Sequence, residues 1–207
     1  MKTILCYGDS ITWGYDPASG MRFRYEDTWP AVMERSLGSE YKVITEALVG
    51  RTTCWDVPYA PYRNGKEYLP MILESHSPID LVIIMLGVND LMHQLGKSAD
   101  DSAWGLLALI RETLSPLFGG KPPQILIAAP PSLGMLSDFD KLAFAGKEEE
   151  SKKLARCQKS VAETALCHFI DSNQFVKACD TDGVHLLPDQ LKILGEAIAE
   201  KVRSIKL

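Results

Sequence analysis

The sequence of 207 residues has no excess of positive charge and no cluster of basic residues. Lys and Arg number 22 against 27 Asp and Glu, which gives a formal net charge of −5. A surface that binds nucleic acid needs Lys and Arg gathered on one face, commonly with aromatic residues between them. Because the sequence offers no such cluster, no nucleic-acid partner is expected.

Long hydrophobic runs are also absent. The longest covers residues 81–86, whereas a membrane-spanning helix takes about 20 apolar residues. The apolar run at the N-terminus ends at Gly8 and Asp9, so it is too short for the core of a signal peptide. We therefore expect no membrane span and a cytoplasmic location.

Cysteines are few and scattered. No two of them form a C-x-x-C pair, and their number is odd: Cys6, Cys54, Cys157, Cys167 and Cys179. Zinc sites and dithiol redox motifs use closely spaced pairs. The sequence therefore predicts reduced, mostly buried cysteines and gives no indication of a metal or redox site.

Apolar segments of strand length recur along the chain and alternate with segments long enough for helices. The predicted strands cover residues 3–7, 42–46, 81–86, 124–129 and 168–171, and the predicted helices cover 29–37, 67–76, 101–117, 147–165 and 189–205. Two of the strands are almost continuously hydrophobic, which is typical of parallel strands buried on both faces. The pattern predicts one α/β domain over residues 1–207, a three-layer α/β/α sandwich around a five-stranded parallel sheet.

Two connections in this pattern are longer than the others. Residues 15–28 contain Gly, Pro and mixed charges, and residues 130–146 carry several large apolar side chains. Long loops in compact domains are often functional, so both segments are candidate walls of a binding site. Packing of the apolar side chains onto a neighbouring helix explains the second segment equally well.

Chemically active side chains follow four of the five predicted strands. They are the Gly-Asp-Ser of residues 8–10, the Gly-Arg-Thr-Thr of 50–53, the Gly-x-Asn-Asp of 87–90 and the Asp-x-x-His of 182–185. Ligands of an open parallel sheet bind beyond the carboxyl ends of the strands. None of these short motifs is specific alone, but their shared position predicts a site at this edge.

Ser10 is the predicted nucleophile of that site, because the chain turns sharply after Gly8 and would project the hydroxyl from the sheet edge. A serine hydroxyl needs a base within hydrogen-bond reach, and a third group must orient that base. Asp182 stands three residues before His185 and can accept its Nδ1 proton, leaving Nε2 for the serine. Without Ser10, the same pair would be interpreted as a turn aspartate and a helix-capping histidine.

Asn89 and Gly50 are predicted to donate hydrogen bonds to an oxyanion, together with the backbone amide of Ser10. Each such donor is worth roughly 10²–10³ in rate. A turn residue explains Asn89 and an ordinary loop glycine explains Gly50, so these two assignments depend on the residues around them.

Two other classes of protein remain open from the residues alone. In a metal-dependent phosphoesterase, two metal ions would be held by Asp9, Asn89, Asp90, His93 and His185. That interpretation leaves Ser10 without a role, and two of the four histidines, His76 and His168, are placed as structural residues. A noncatalytic binding module of the same fold would have no reason to gather Ser10, Asp182 and His185.

The four motifs match one family in their order along the chain. The sequence resembles the SGNH hydrolases, also called GDSL esterases, which are named for a Ser, Gly, Asn and His in four separate blocks. The resemblance implies a flavodoxin-like fold and a catalytic triad of Ser10, Asp182 and His185. It also implies an oxyanion hole formed by Ser10, Gly50 and Asn89, and no metal or other cofactor.

A closer likeness is to the arylesterase and acyltransferase subgroup, and residues 4–10, 50–53, 63–65 and 81–87 carry it. It implies a serine esterase for short acyl esters of aryl or small alcohols, with acyl transfer to alcohols as an extension. A carbohydrate O-acetylesterase of the same family is the alternative. The likeness also allows for a homo-oligomer, and it implies a small-molecule ester as substrate.

The resemblance marks one place where this chain should differ. The second block of the family often has an asparagine shortly before its glycine, whereas residues 46–49 here are Glu-Ala-Leu-Val. We therefore expect different hydrogen bonds to support the loop around Gly50. Asp9, Trp13 and Thr52 are expected in the substrate pocket, although a tryptophan packed under a loop explains Trp13 as well.

Overall fold

The computed structural model describes residues 1–115 and 121–207. Its centre is a five-stranded sheet in which all neighbouring strands are parallel. The strands are β1 (Lys2–Gly8), β2 (Tyr41–Ala47), β3 (Leu81–Met85), β4 (Gln124–Ala129) and β5 (His168–Asp171). Their order, β2-β1-β3-β4-β5, is that of flavodoxin-like folds. The predicted fold class is confirmed, and each predicted strand agrees with the observed one to within one residue at either end.

Helices connect the strands and cover both faces of the sheet. The described residues form α1 (Ser10–Trp13), α2 (Trp29–Leu37), α3 (Gly65–His76), α4 (Ala99–Thr113), α5 (Lys141–Phe144), α6 (Glu148–Ser151), α7 (Leu154–Thr164) and α8 (Pro188–Arg203). Short 3-10 helices lie at Tyr25–Asp27, Val88–Leu91 and Ser172–Gln174. The last long helix begins at Pro188, because the ring of proline suits a first helical turn.

Each face of the sheet has its own hydrophobic core. Ile4 and Cys6 of β1 pack in a cluster with side chains of α2 and α8. Leu5 and Tyr7, which point the other way, pack in a cluster with side chains of α3, α4 and α7. Successive side chains of a strand alternate between faces, so a strand buried on both sides must be apolar throughout. This explains the continuous hydrophobic runs, and it makes Cys6 a core residue.

The predicted helix over residues 147–165 is wrong in one respect, because the chain forms two helices there, α6 and α7. At the end of α6, Ser151 donates its hydroxyl to the carbonyl of Glu148 at 2.6 Å and accepts the amide of Leu133 at 3.0 Å. A serine that bonds its own backbone competes with a regular helix. The break therefore anchors the loop that follows β4.

The predicted helix over residues 101–117 differs at both ends. The observed helix α4 begins at Ala99, where Ser98 and Asp101 form a reciprocal capping box. It ends at Thr113, so residues 114 and 115 are not helical. The last two predicted positions, 116 and 117, lie outside the described residues.

The long loop over residues 130–146 packs across the carboxyl edge of the sheet. Its buried members Leu133, Leu136 and Phe144 join a cluster with residues that follow β2, β3 and β5, namely Val57, Val88, Met92 and Val184. The loop therefore links the strand ends to one another, as a wall of a site at this edge would.

All five cysteines are free, and three of them are buried. None of the helices in the described ranges combines the length and hydrophobicity that a membrane crossing requires.

Candidate active site

Ser10 lies directly after β1, at the first position of the short helix α1. The Asp9 side chain accepts the amide of Ile11 at 3.0 Å and so caps this turn. At Gly8 a Cβ atom would stand 2.0 Å from the hydroxyl oxygen of Thr12, so only glycine allows the strand to turn here so tightly. The local sequence thus places the Ser10 hydroxyl at the edge of the sheet.

Three side chains form a continuous hydrogen-bonded chain at this edge. The Nε2 atom of His185 lies 2.8 Å from the hydroxyl oxygen of Ser10, and its Nδ1 lies 2.5 Å from an oxygen of Asp182. The other Asp182 oxygen accepts the amides of Val184 at 2.8 Å and His185 at 2.9 Å. Burial alone would raise the pKa of Asp182, but the hydrogen bond and charge of His185 and these amides outweigh it and lower the pKa to about 2. The carboxylate is therefore ionised and oriented toward His185.

The loop that carries Asp182 and His185 is held by its own backbone. Cys179 donates its amide to the carbonyl of His185 at 2.8 Å, and Gly183 donates to the carbonyl of Cys179 at 2.9 Å. Gly183 has φ +76, and a Cβ there would stand 2.4 Å from the carbonyl oxygen of Met135. A side chain is therefore excluded at position 183, and the loop over 130–146 fits tightly against the Asp-x-x-His turn.

The backbone amides of Ser10 and Gly50 are free donors at the same edge. Within residues 1–115 and 121–207, neither amide has a protein acceptor. Gly50 adopts φ +74 in a turn closed by a hydrogen bond of 3.0 Å from the Arg51 amide to the Leu48 carbonyl. Unpaired amides at the edge that carries a reactive hydroxyl can donate to an oxyanion.

Asn89 lies in the 3-10 helix that follows β3, and it is buried. Its side-chain nitrogen donates to the Arg51 carbonyl at 3.1 Å and lies 3.4 Å from a carboxyl oxygen of Asp9. The first bond fixes the amide group. The second is long, so that hydrogen remains available to a developing negative charge.

Two buried carboxyl groups lie beneath the site. Asp9 faces Asn89, and Asp90 accepts the amide of Thr53 at 2.9 Å and its hydroxyl at 2.7 Å. Burial raises the pKa of each carboxyl group to about 6. The hydrogen bond that Ile11 donates to Asp9, and those that Thr53 donates to Asp90, act in the opposite direction but do not outweigh burial. The link between Asp90 and Thr53 ties the loop of Gly50 to the segment of Asn89.

The three residues expected in the pocket differ in position. Asp9 and Thr52 are completely buried, so neither forms an open wall, and that part of the expectation is corrected. The Thr52 hydroxyl instead donates to the carbonyl of Trp55 at 2.6 Å and stabilises its own loop. Trp13 is half-buried with the guanidinium of Arg22 above its ring, at 5.2 Å from the centroid.

Tyr15 was not identified from the sequence. Its ring packs against the ring of His185, with centroids 4.4 Å apart and a tilt of 36°. Its amide donates to the Ser10 carbonyl at 3.0 Å, which anchors it beside Ser10. The only available signal was its position at the start of the long loop over residues 15–28.

The remaining histidines do not approach Ser10 in any contact of the described residues. His76 pairs with Glu46 at 2.8 Å, and His168 pairs with Gln124 at 2.8 Å. His93 is exposed. No group of three or more His, Cys, Asp or Glu side chains in the described ranges is placed to hold a metal ion. Asp90 accepts hydrogen bonds from Thr53, and the described residues form no two-metal centre of the kind considered from the sequence.

A flavodoxin-like sheet that brings a serine, a histidine and an aspartate into contact at its carboxyl edge defines a hydrolase of the serine type. Residues 6–191 match the GDSL-like lipase/acylhydrolase family, and the chain belongs to that family. It is accordingly a carboxylic-ester hydrolase.

Two solved structures resemble the chain over essentially its whole length. The carbohydrate acetylesterase Est24 of Sinorhizobium meliloti has 36% identity and a TM-score of 0.96, with 99% of each chain covered. The aryl esterase of M. smegmatis has 36% identity and a TM-score of 0.96, with 100% of each chain covered. A comparison with curated proteins gives no match.

Proposed function

We propose that this esterase acts on short acyl esters of aryl or small alcohols through an acyl-enzyme on Ser10. One observation carries the proposal: the Ser10 hydroxyl lies 2.8 Å from His185, which Asp182 holds through Nδ1. The identity of the acyl group and the alcohol is supported by the likeness to an aryl esterase and to a carbohydrate acetylesterase.

In the first half of the reaction, the Ser10 oxygen bonds to the ester carbon while its proton moves to Nε2 of His185. The carbonyl oxygen becomes an oxyanion, which the amides of Ser10 and Gly50 and the side chain of Asn89 stabilise. Collapse of this intermediate breaks the bond to the alcohol, which leaves with the proton from His185.

In the second half, water attacks the acyl-enzyme and gives its proton to His185. The carboxylic acid leaves, and Ser10 recovers the proton. An alcohol in place of water gives a new ester by the same steps. The carboxylate of Asp182 stays ionised throughout and stabilises the imidazolium that forms twice in each cycle.

A carbohydrate O-acetylesterase is the second candidate, and the similarity to Est24 favours it. Both candidates use the same acyl-enzyme and differ only in the alcohol. We also propose a cytoplasmic enzyme, which the five free cysteines support, and a homo-oligomer, which size-exclusion chromatography with light scattering would test.

The test is hydrolysis of nitrophenyl esters from acetate to octanoate, compared with release of acetate from acetylated sugars. Activity that falls sharply beyond propionate supports the proposal, and activity that rises with chain length overturns it. Ser10→Ala should lower kcat/KM by at least about 10⁴ without loss of folding. A fluorophosphonate should label wild type at Ser10 with release of fluoride and should leave Ser10→Ala unlabelled.

A further inference from the structure

The side chain that follows Gly50, that of Arg51, has no role among those predicted from the sequence. We propose that Arg51 is the positioning residue of the oxyanion hole, because it contacts the supports of all three donors. The inference rests on the proposed function of Ser10, Gly50 and Asn89. Arg51 itself does not touch the reacting atoms.

The first contact is made by the guanidinium. Its Nη1 donates to the carbonyl of Gly8 at 3.1 Å and to the carbonyl of Glu46 at 2.6 Å. Gly8 is the last residue of β1, and the turn that exposes Ser10 starts there. The guanidinium therefore joins the ends of β1 and β2, and it holds the peptide immediately before the one that carries the Ser10 amide.

The second and third contacts are made by the backbone of Arg51. Its amide donates to Leu48 at 3.0 Å and closes the turn that holds Gly50 at φ +74. Its carbonyl accepts a hydrogen bond from the Asn89 side-chain nitrogen at 3.1 Å, which is shorter than the 3.4 Å from the same nitrogen to Asp9 and so fixes the amide group. Arg51 thus contacts the main chain before Ser10, the turn that holds Gly50 and the side chain of Asn89.

The environment of the guanidinium indicates a role beyond stability. Arg51 is buried, with its guanidinium over the ring of Tyr7 at 4.1 Å from the centroid. Within the described part of the chain, its Nε atom is buried without a hydrogen-bond partner. Burial of an incompletely paired cation costs free energy, so a core selected for stability alone would favour an apolar residue here.

This arrangement also accounts for the departure noted in the sequence. Where the family often has an asparagine before the glycine, this chain has residues 46–49 without one. The carbonyl of Glu46 is bonded by Arg51 instead, and the carboxylate of Glu46 is bonded by His76 at 2.8 Å. Support for the loop therefore comes from a residue after the glycine.

The consequence is kinetic. Donors aimed at the oxyanion stabilise the transition state more than the bound ester, so their misplacement lowers kcat and leaves KM almost unchanged. A residue that merely stabilised the fold would change the melting temperature, and the folded enzyme would keep its kcat.

The experiment compares Arg51→Met and Arg51→Lys with wild type on nitrophenyl acetate, at a temperature well below each melting point. We expect Arg51→Met to lower kcat by roughly 10²–10³, as loss of one or two oxyanion donors does, with KM within about threefold. Arg51→Lys keeps the charge and reaches one carbonyl, so its kcat should lie about tenfold above that of Arg51→Met and still at least about tenfold below that of wild type.

The matched control is Arg203→Met, since Arg203 also donates to a backbone carbonyl, that of Ser36, on the exposed side of α8. It should keep the wild-type kcat. Phenylboronic acid, which forms a tetrahedral adduct with a serine, gives the second measurement. Its inhibition constant should rise in parallel with the fall in kcat.

An Arg51→Met enzyme that is folded and keeps kcat within about threefold of wild type overturns the inference. So does a loss that lies mainly in KM, or unchanged inhibition by phenylboronic acid. If Arg51→Met does not fold, Arg51→Lys decides alone, and an unchanged kcat then counts against the inference. Failure of the proposed function is a different result, because wild type itself would then be inactive.

Discussion

The two sides of the proposed active site are built in different ways. On the relay side, Ser10, His185 and Asp182 touch one another through their side chains, and two of the three come from one turn of four residues. On the oxyanion side, the donors come from three separate segments of the chain and do not touch each other in any described contact. Buried groups behind them, Arg51 and Asp90, hold them in place.

The difference reflects what each side must do before a substrate arrives. The relay can satisfy its own hydrogen bonds in the resting enzyme, so its geometry is self-supporting. The oxyanion hole must keep donors unpaired until charge develops on the substrate, so its geometry has to be imposed by neighbours. The two sides should therefore respond differently to substitution, and the four substitutions below test this, starting from the largest expected effect.

Asp182→Asn tests the relay side. Asparagine keeps the shape and can still accept the amides of Val184 and His185, but its NH₂ group would favour the wrong tautomer of His185. We expect kcat to fall by about 10⁴, with little change in KM. The measurement is steady-state hydrolysis of nitrophenyl acetate, with thermal unfolding as the control for folding. A loss below tenfold would show that Asp182 is not required to orient His185.

Asn89→Ala tests the oxyanion side. One side-chain donor is lost while the amides of Ser10 and Gly50 remain, so kcat should fall by roughly 10²–10³. Asn89→Asp is the matched variant, because it keeps the shape but places a carboxylate beside Asp9 and the oxyanion. The kcat of Asn89→Asp should be as low as that of Asn89→Ala or lower. An Asn89→Asp enzyme more active than Asn89→Ala would mean that the side chain supports the loop and does not bind the oxyanion.

The relay side was more accessible from the sequence than the oxyanion side. Asp182 and His185 are three residues apart, so a short motif contains both their chemistry and their geometry. Ser10 follows a hydrophobic segment, residues 3–7, that the sequence pattern identifies as a strand. The contact between Ser10 and His185 spans 175 positions, and it followed from the rule that parallel strands end at one edge.

The support of the oxyanion side could not be predicted in the same way. The guanidinium of Arg51 bonds main-chain carbonyls, and any residue offers a carbonyl, so the sequence carries no signal for its partners. Asp9 and Thr52 are expected in the pocket from the sequence, but both are completely buried in the structure. Their burial depends on how the surrounding loops pack together, which a short motif does not show. The break between α6 and α7 has the same origin, because Ser151 bonds a residue of a distant loop.

Tyr15→Leu tests whether the relay side is entirely self-supporting. The ring of Tyr15 packs on His185, and such an aromatic contact is worth about 0.5–1.5 kcal/mol. Its loss should lower kcat/KM by about threefold to tenfold, as measured by steady-state hydrolysis of nitrophenyl acetate. Tyr15→Phe keeps the ring and is the control, so it should behave as wild type. Equal effects in the two variants would assign the role to the hydroxyl group.

Asp90→Asn has the smallest expected effect on activity, and it asks whether charge or hydrogen bonding holds the oxyanion side. Asparagine can accept the Thr53 amide and donate to the Thr53 hydroxyl, so both links survive and kcat should stay within about threefold of wild type. A large loss of kcat would instead mean that the Gly50 loop needs the negative charge of Asp90 to keep its geometry.

The same variant should change how stability depends on pH. Burial raises the pKa of Asp90 from 3.8 to about 6, so the folded protein binds the proton more tightly than the unfolded chain. Its contribution to the free energy of unfolding is then complete below pH 3.8 and is lost as the pH rises to about 6, an effect of at most about 3 kcal/mol. Asp9 acts in the same direction, whereas Asp182, with its lowered pKa, loses its contribution only as the pH falls from 3.8 toward 2. Urea unfolding at pH 4 and pH 7 should therefore show a smaller decline for Asp90→Asn than for wild type. An identical decline in both proteins would mean that Asp90 is not the group that titrates, and that hydrogen bonds alone join the two loops of the oxyanion side.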